Sequence, residues 1–525
     1  MTAKSPPRLI VAISIDQFGA DLFAQYRATF TGGLQRLTSG AVFPSGYQSH
    51  AASETCPGHS TILTGGHPAR TGIIANDWID QRVTRADKTV YCAEDERVAG
   101  SSSDNYTASP VHLLVPTLGE LLKARNKGSR NVAVAGKDRA ALMMGGAGTD
   151  EIWYWGGKKA FVTLPGRKPR ASVAALNQDY LAAIAAGSNG LPKPAHCEAV
   201  SRPIPVGGRT VGDGNFVAKP GDEFGFRGSP ALDAATLDLA ETLVRELKLG
   251  KGEATDTLAI GLSATDYIGH AYGSGGGEMC LQVAALDTRL GQFFARLDEA
   301  GLEYVVMLTA DHGVLDLPER ARDHAMPMAS RVDPALNVKD IGAAIAADLG
   351  LEPATPLLLS GGAAGDFYLN SALTPDARNR VKAAAIARLA AFPQVEAVLD
   401  GAELEKTPLP TGPVELWSLA DRARASYYPG RSGDLIVILK KAVTPIANPT
   451  RYVATHGSVW DYDRRVPILF WRSGMAGFEQ SLSVESVDIM PTLAALVGLK
   501  LPAGAVDGRC LDLDSGPAST CPPAP

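Results

Sequence analysis

The chain has 525 residues, more than a single hydrophobic core usually supports, so it is either two domains or one large domain carrying insertions. With 45% hydrophobic, 20% charged and 6% aromatic residues it has an ordinary globular composition, which excludes a disordered or fibrous chain. A formal net charge of -6 supplies no general basic field for a nucleic-acid duplex or an anionic membrane, and no apolar run approaches the roughly 20 residues of a membrane span.

Residues 1–7 lack the apolar core of a secretory signal, which fits either a cytosolic protein or a mature form whose leader was replaced by Met. The cysteines favour the second. Cys56, Cys92, Cys197, Cys280, Cys510 and Cys521 are scattered without a C-x-x-C pair, and their even number is compatible with three disulfides in an oxidising compartment. Spacing selects no pairing, although Cys510 with Cys521 would close a small C-terminal loop.

Leu9–Ile15 is a short apolar run that reads as a buried strand ending at Asp16. Next, Glu54-Thr55-Cys56-Pro57-Gly58-His59-Ser60-Thr61 puts a hydroxyl at a sharp turn before a helix-compatible stretch, and Asn76 follows in a turn-like segment. Residues 132–135 form a second strand candidate before Lys137 and Arg139, 258–262 a third before Asp266 and His270, and Tyr304–Thr309 a fourth before Asp311-His312-Gly313. Between them, 234–247 and 279–297 carry apolar residues at three- and four-residue spacing and read as helices. Strands alternating with helices predict an α/β/α sandwich with a largely parallel central sheet. In such a sheet, sites form beyond the carboxyl ends of the strands, where Asp16, Lys137, Asp266 and Asp311 all fall. The turn-rich stretches at about 80–110, 145–229 and 327–450 read as insertions capping that edge. They interrupt a single discontinuous catalytic domain with core segments at about 8–80, 111–145, 230–326 and 451–514, and 515–525 reads as a tail.

The chemistry follows from residue types. A buried Asp at the end of an apolar strand is costly without a compensating cation, which makes Asp311 a metal-ligand candidate and raises the standing of Asp16 above a simple turn carboxylate. Asp266 and His270 are four apart, so one helical turn would bring carboxylate and imidazole to the same face. His456-Gly457 offers one more imidazole, and carboxylates with neutral imidazoles are a set that zinc accepts. Thr55 is a weak nucleophile unless a metal or base activates it. Lys137 and Arg139 are two apart, so an extended backbone would send both cations from one face to grip a phosphoryl group. Asn76 reads as a turn residue or as a neutral donor to a phosphoryl oxygen. His50, His59, His67, His112, His196 and His324 have no comparable context and read as structural or surface residues, His59 the least firmly. Gly136-Lys137 is not a P-loop, because residue 131 is Asn and residue 138 is Asp. The set as a whole implies a two-metal hydrolase of phosphate esters.

The ordered set Asp16, Thr55-Cys56-Pro57-Gly58-His59, Asp266-x-x-x-His270, Asp311-His312-Gly313 and His456-Gly457 resembles the alkaline phosphatase superfamily over nearly the whole chain. The stretch from Ser486 to Leu493 is similar to that superfamily's late core helix. Within it, the Thr nucleophile with Asn76 and Lys137-x-Arg139 resembles the periplasmic enzymes of the PhoK and PafA type. The resemblance implies one zinc ion on Asp266, His270 and His456, and another on Asp16, Thr55, Asp311 and His312. It further implies phosphoryl contacts from Asn76, Lys137 and Arg139, a phosphothreonine intermediate, small phosphate monoesters as substrates and a periplasmic or secreted location. An additional calcium site in the acidic loops and the oligomeric state stay open.

The nearest rival is a nucleotide pyrophosphatase or phosphodiesterase of the same superfamily, against which the paired cations of Lys137 and Arg139 weigh. A sulfatase is disfavoured because Pro57 directly follows Cys56, where a C-x-P-x-R pattern is needed. An inactive metal-binding scaffold is the reading from a different class.

Overall fold

The computed structural model describes residues 5–324, 326–352 and 355–523. Residues 1–4 of the N-terminal segment and 524–525 of the tail lie outside the described residues. A ten-stranded sheet runs through the molecule. Its strands are β1 (Leu9–Ile15), β2 (Ala41–Tyr47), β3 (Asn131–Ala135), β4 (Glu151–Trp155), β5 (Phe161–Val162), β6 (Asp256–Leu262), β7 (Tyr304–Thr309), β8 (Arg465–Arg472), β9 (Phe478–Glu479) and β10 (Val484–Glu485). They lie in the order β9-β2-β8-β7-β1-β6-β3-β4-β5, with β10 also on β2. The central run β7-β1-β6-β3-β4 is parallel throughout, while β8 and β5 enter antiparallel.

The reason for a sandwich is visible in β1, whose seven residues are all buried. Successive side chains point to opposite faces, so a strand buried on both sides needs a covering layer on each. Leu9, Val11, Ile13 and Ile15 pack with helices Ala231–Leu247 and Gly277–Glu299. Ile10 and Ala12 pack on the other face, with helices Thr55–Ile62, Asp138–Gly145 and Ile489–Leu496. The helices expected at 234–247 and 279–297 are present and slightly longer at their ends.

Residues 327–450 are more regular than their turn-rich composition suggests. They hold a four-stranded antiparallel sheet of Leu358–Ser360, Gly365–Leu369, Leu435–Leu439 and Val395–Asp400, backed by helices Val338–Leu349 and Pro375–Ala390 over a core of their own. The six cysteines pair as Cys56–Cys92, Cys197–Cys280 and Cys510–Cys521. Among the described residues no helix is long and apolar enough to cross a membrane.

Candidate active site

The strand ends converge. Asp16 leaves β1 fully buried, its N–H donating to Leu262 O at 2.8 Å. Gln17 then turns into the left-handed region at φ 68, which drives its side chain and backbone toward two other strand ends. Its N–H donates to Asp311 Oδ1 at 3.0 Å and its Nε2 to Asp266 Oδ1 at 2.8 Å. Lys137 Nζ bridges Asp16 Oδ2 at 2.6 Å and Asp266 Oδ2 at 2.5 Å. Burial alone would depress the lysine, but those two carboxylates outweigh it and hold the ammonium above its ordinary range. Asp16 is raised by burial and then by the negative charges of Asp266 and Asp311. For Asp266, burial pulls upward, yet His270 and Lys137 hold the carboxyl well below the usual range.

Three imidazoles meet these carboxylates in one orientation. Nδ1 lies 2.9 Å from Ala454 O for His270, 3.0 Å from Gly313 O for His312 and 2.8 Å from Ser53 O for His456. A carbonyl only accepts, so each Nδ1 carries a proton and each Nε2 is the nitrogen turned toward the carboxylates. The Nε2 atoms of His270 and His456 both lie 3.3 Å from Asp266 Oδ1. His312 Nε2 lies 3.4 Å from Asp16 Oδ1 and 3.3 Å from Asp311 Oδ2. Burial pushes the His312 ring down to about 3, so at neutral pH it is an acceptor facing acceptors. That arrangement calls for a cation between them. Ligand atoms of Asp266, His312 and His456 group within 4.8 Å of one another, as do those of Asp16, Asp311 and His312. Thr55 Oγ1 is buried without a hydrogen-bond partner among the described residues. The donor set and this orphaned oxygen fit metal ions held by neutral imidazoles whose second nitrogens are fixed by the backbone. A further grouping, His196 with Cys197 and Cys280, is spent on a disulfide.

Thr55 opens the helix Thr55–Ile62 rather than capping it; the capping position belongs to Glu54 in extended backbone. Asn76 closes the helix start from outside, its Oδ1 accepting from Cys56 N–H at 2.9 Å, which leaves Nδ2 as the end that donates. Its own N–H donates to Glu54 Oε2 at 2.6 Å. Burial pushes the Glu54 carboxyl up to about 7.

Lys137 and Arg139 do not share an extended segment as the spacing suggested. Lys137 is extended at φ -131 and ψ 142, but the helix Asp138–Gly145 starts immediately after it and contains Arg139. The cause is local: Asp138 favours a helix first turn, and Ala-Ala-Leu-Met-Met sustains the helix. Lys137 therefore points at the carboxylates, while Arg139 Nη1 donates to the Tyr91 hydroxyl at 3.3 Å.

His59 is more central than its context in the sequence implied. Its Nδ1 lies 2.9 Å from Thr55 O and 3.1 Å from Asp311 Oδ2. The four-residue spacing from Thr55 on one helix was the legible clue. Gln17 and Tyr91 carried no such mark. His67, by contrast, serves structure, pairing with Glu485 and Asp507. A cavity of about 450 Å³ opens beside His456 and Glu54, bounded on its far side by Asp366 and Tyr368 of the 327–450 segment.

The sequence profile of the type I phosphodiesterase / nucleotide pyrophosphatase family matches residues 10–458. Alkaline phosphatase PhoK of a Sphingomonas species is 55% identical over 522 residues, covering 99% of this chain and 93% of that protein. The chain belongs to this family, within the alkaline phosphatase superfamily. Alkaline phosphatase PhoD of Zymomonas mobilis is 49% identical, with 99% of this chain and 91% of that protein covered. The crystal structure of alkaline phosphatase PafA superposes with a TM-score of 0.83 at 25% identity, covering 97% of this chain and 99% of that one. Membership of this superfamily carries metal-ion dependence with it, in keeping with the donor set.

Proposed function

We propose that this chain, a phosphate monoester hydrolase of the alkaline phosphatase type, acts through a covalent phosphothreonine at Thr55 beside two zinc ions. Asp266, His270 and His456 would hold one ion; Asp16, Asp311 and His312, with the Thr55 oxygen, would hold the other. When bound, such ions supply Lewis-acid charge that stabilises an alkoxide and makes water a nucleophile near neutral pH. The Thr55 hydroxyl gives up its proton to solvent and its oxygen attacks phosphorus as the bond to the ester oxygen breaks; the leaving alkoxide takes up a proton from water and departs as the alcohol. Water then attacks the same phosphorus, the Thr55 oxygen–phosphorus bond breaks, and inorganic phosphate is released. Through both displacements the Asn76 amide, Lys137 and Arg139 meet the non-bridging oxygens, where charge develops. The single observation that carries this reading is Thr55 Oγ1, buried and without a partner at a helix start beside the converging carboxylates and imidazoles.

The family profile also covers nucleotide pyrophosphatases, so the diesterase reading has to be met directly. A monoester dianion has one more charged oxygen than a diester and rewards two cations there, which Lys137 and Arg139 supply. Comparing p-nitrophenyl phosphate with bis-p-nitrophenyl phosphate decides the order, and faster turnover of the diester overturns the monoesterase reading. Thr55→Ala is expected to keep its metal content by elemental analysis while losing nearly all turnover; full turnover by that variant removes the covalent mechanism. Zinc restoring chelated enzyme with two equivalents bound is the outcome expected for identity and count. The three disulfides support a periplasmic or secreted site of action.

A further inference from the structure

We infer that Tyr91 is a positioning residue for Arg139 and thereby sets how strongly the site prefers a monoester over a diester. The inference rests on the monoesterase reading above. Arg139 is unusual among the basic side chains near the site: no carboxylate lies within 4 Å of its guanidinium among the described residues, and its Nε is buried without a hydrogen-bond partner. Its sequence neighbour Asp138 is the obvious competitor for that charge. Both oxygens of Asp138 are committed elsewhere, however, Oδ1 accepting from the Tyr91 hydroxyl at 2.8 Å and Oδ2 from the Tyr106 hydroxyl at 2.7 Å. Tyr91 spends its proton on Asp138, so its oxygen is left to accept from Arg139 Nη1 at 3.3 Å. The guanidinium is thus oriented by a neutral phenol, and its charge stays available for an anionic oxygen of the substrate.

The same short segment reaches the rest of the phosphoryl site. Strand Thr89–Tyr91 pairs with Asp77–Ile79, placing Tyr91 opposite Asp77, next to Asn76. Cys92 N–H donates to Asn76 O at 2.8 Å, and Cys92 is disulfide-bonded to Cys56, the residue after Thr55. Tyr91 and Cys92 therefore register the nucleophile, the neutral donor and the guanidinium against one another. Tyr106 supports the phenol from the side, with ring centroids 4.7 Å apart.

Tyr91→Phe keeps the ring and the disulfide and deletes only the oxygen. The expected result is a fall of about tenfold in kcat/KM for p-nitrophenyl phosphate, the scale of one hydrogen bond to a charged group, with bis-p-nitrophenyl phosphate changed less than about twofold. Inhibition by inorganic phosphate should weaken in parallel. In an Arg139→Ala background the Tyr91→Phe change should add no further loss, because it acts through that guanidinium. Equal losses on both esters, or an additive loss in the double variant, overturn the inference. A wild-type enzyme that prefers the diester, or an Arg139→Ala variant with no monoester-specific loss, defeats the underlying site reading instead. Should Tyr91→Phe fold poorly, Tyr106→Phe tests the same idea by freeing Asp138 Oδ2 to capture the guanidinium. It should also lower the monoester-to-diester ratio, and an unchanged ratio overturns the inference.

Discussion

Gly58→Ala probes the closest approach in the site. Gly58 lies one turn into the nucleophile helix, and a β-carbon placed there would sit 2.1 Å from Asp311 O, 2.7 Å from its carbonyl carbon and 2.8 Å from its Cβ. These are backbone and near-backbone atoms, so no side-chain rotation relieves them. Asp311 is also poorly able to retreat, since it lies two residues past the end of β7 and the intervening Ala310 is anchored, its O accepting from Gln48 Nε2 at 3.0 Å. Helix and loop must therefore separate by about 1 Å, which costs roughly 1–3 kcal/mol of stability as overpacking. Helix propensity alone predicts the opposite sign, because Ala is favoured over Gly by about 1 kcal/mol inside a helix. Thr55 rides on the helix and Asp311 on the loop, so the same 1 Å separates the attacking oxygen from a carboxylate proposed to hold its metal. A misplacement of that size is worth on the order of 100-fold in rate. The assay is kcat/KM on p-nitrophenyl phosphate with metal-replete enzyme, alongside a melting curve. A variant that melts higher than wild type and retains activity within threefold would falsify the claim that this contact sets the site.

Gly269→Ala should act more locally: its β-carbon would fall 1.6 Å from Gln17 Oε1, the end of a flexible side chain, so the amide swings off Asp266 and the fold survives. The expected outcome is metal affinity weakened by about 10- to 100-fold in chelator competition, and unchanged affinity counts against a role for Gln17 in orienting Asp266. Asp463→Asn tests a buried charge, since burial pushes that carboxyl from 3.8 up to about 7. A raised folded-state pKa means that ionisation destabilises the fold progressively between about pH 4 and 7 and fully above it. The variant should therefore gain melting temperature relative to wild type across that window and hold the gain at pH 9; a difference independent of pH would contradict the assignment.

Much of this site was legible because the sequence marks strand ends sharply. Leu9–Ile15 and Tyr304–Thr309 are apolar runs of strand length stopped by an acid, and both appear with those boundaries. Asp266 and His270 were readable as a pair because four residues make one helical turn, and the helix Ala264–Tyr272 carries them as expected. Gln17 was not readable, since its left-handed backbone is carried by a residue with no special tolerance for it and is held by contacts with Asp266 and Asp311 hundreds of residues away. Nor was the direction of Arg139, because a helix beginning at Asp138 replaced the two-residue alternation with a helical turn. The order within 327–450 was hidden for another reason. Its helix Pro375–Ala390 is rich in Ala and buries only Val381, Ala385 and Leu389, so its periodicity is faint.

The hydrophobic core is what fixes the position of the proposed metal cradle. Parallel pairing sets Ile15 opposite Leu262 and Ser14 opposite Thr309, so β1, β6 and β7 end at one level. From that level Asp16 needs one further residue, Asp311 two, and Asp266 one turn of helix to reach a common point. A slip of one residue in β1 would turn its whole set of side chains to the opposite faces, exchanging the Leu9, Val11, Ile13 and Ile15 row with the Ile10 and Ala12 row. The two faces are not interchangeable, since large helix-packing side chains line one and small ones help line the other. The register that buries these apolar residues well is therefore the register that aligns the carboxylates, and mutual repulsion among those carboxylates is borne by a fold whose stability is supplied elsewhere.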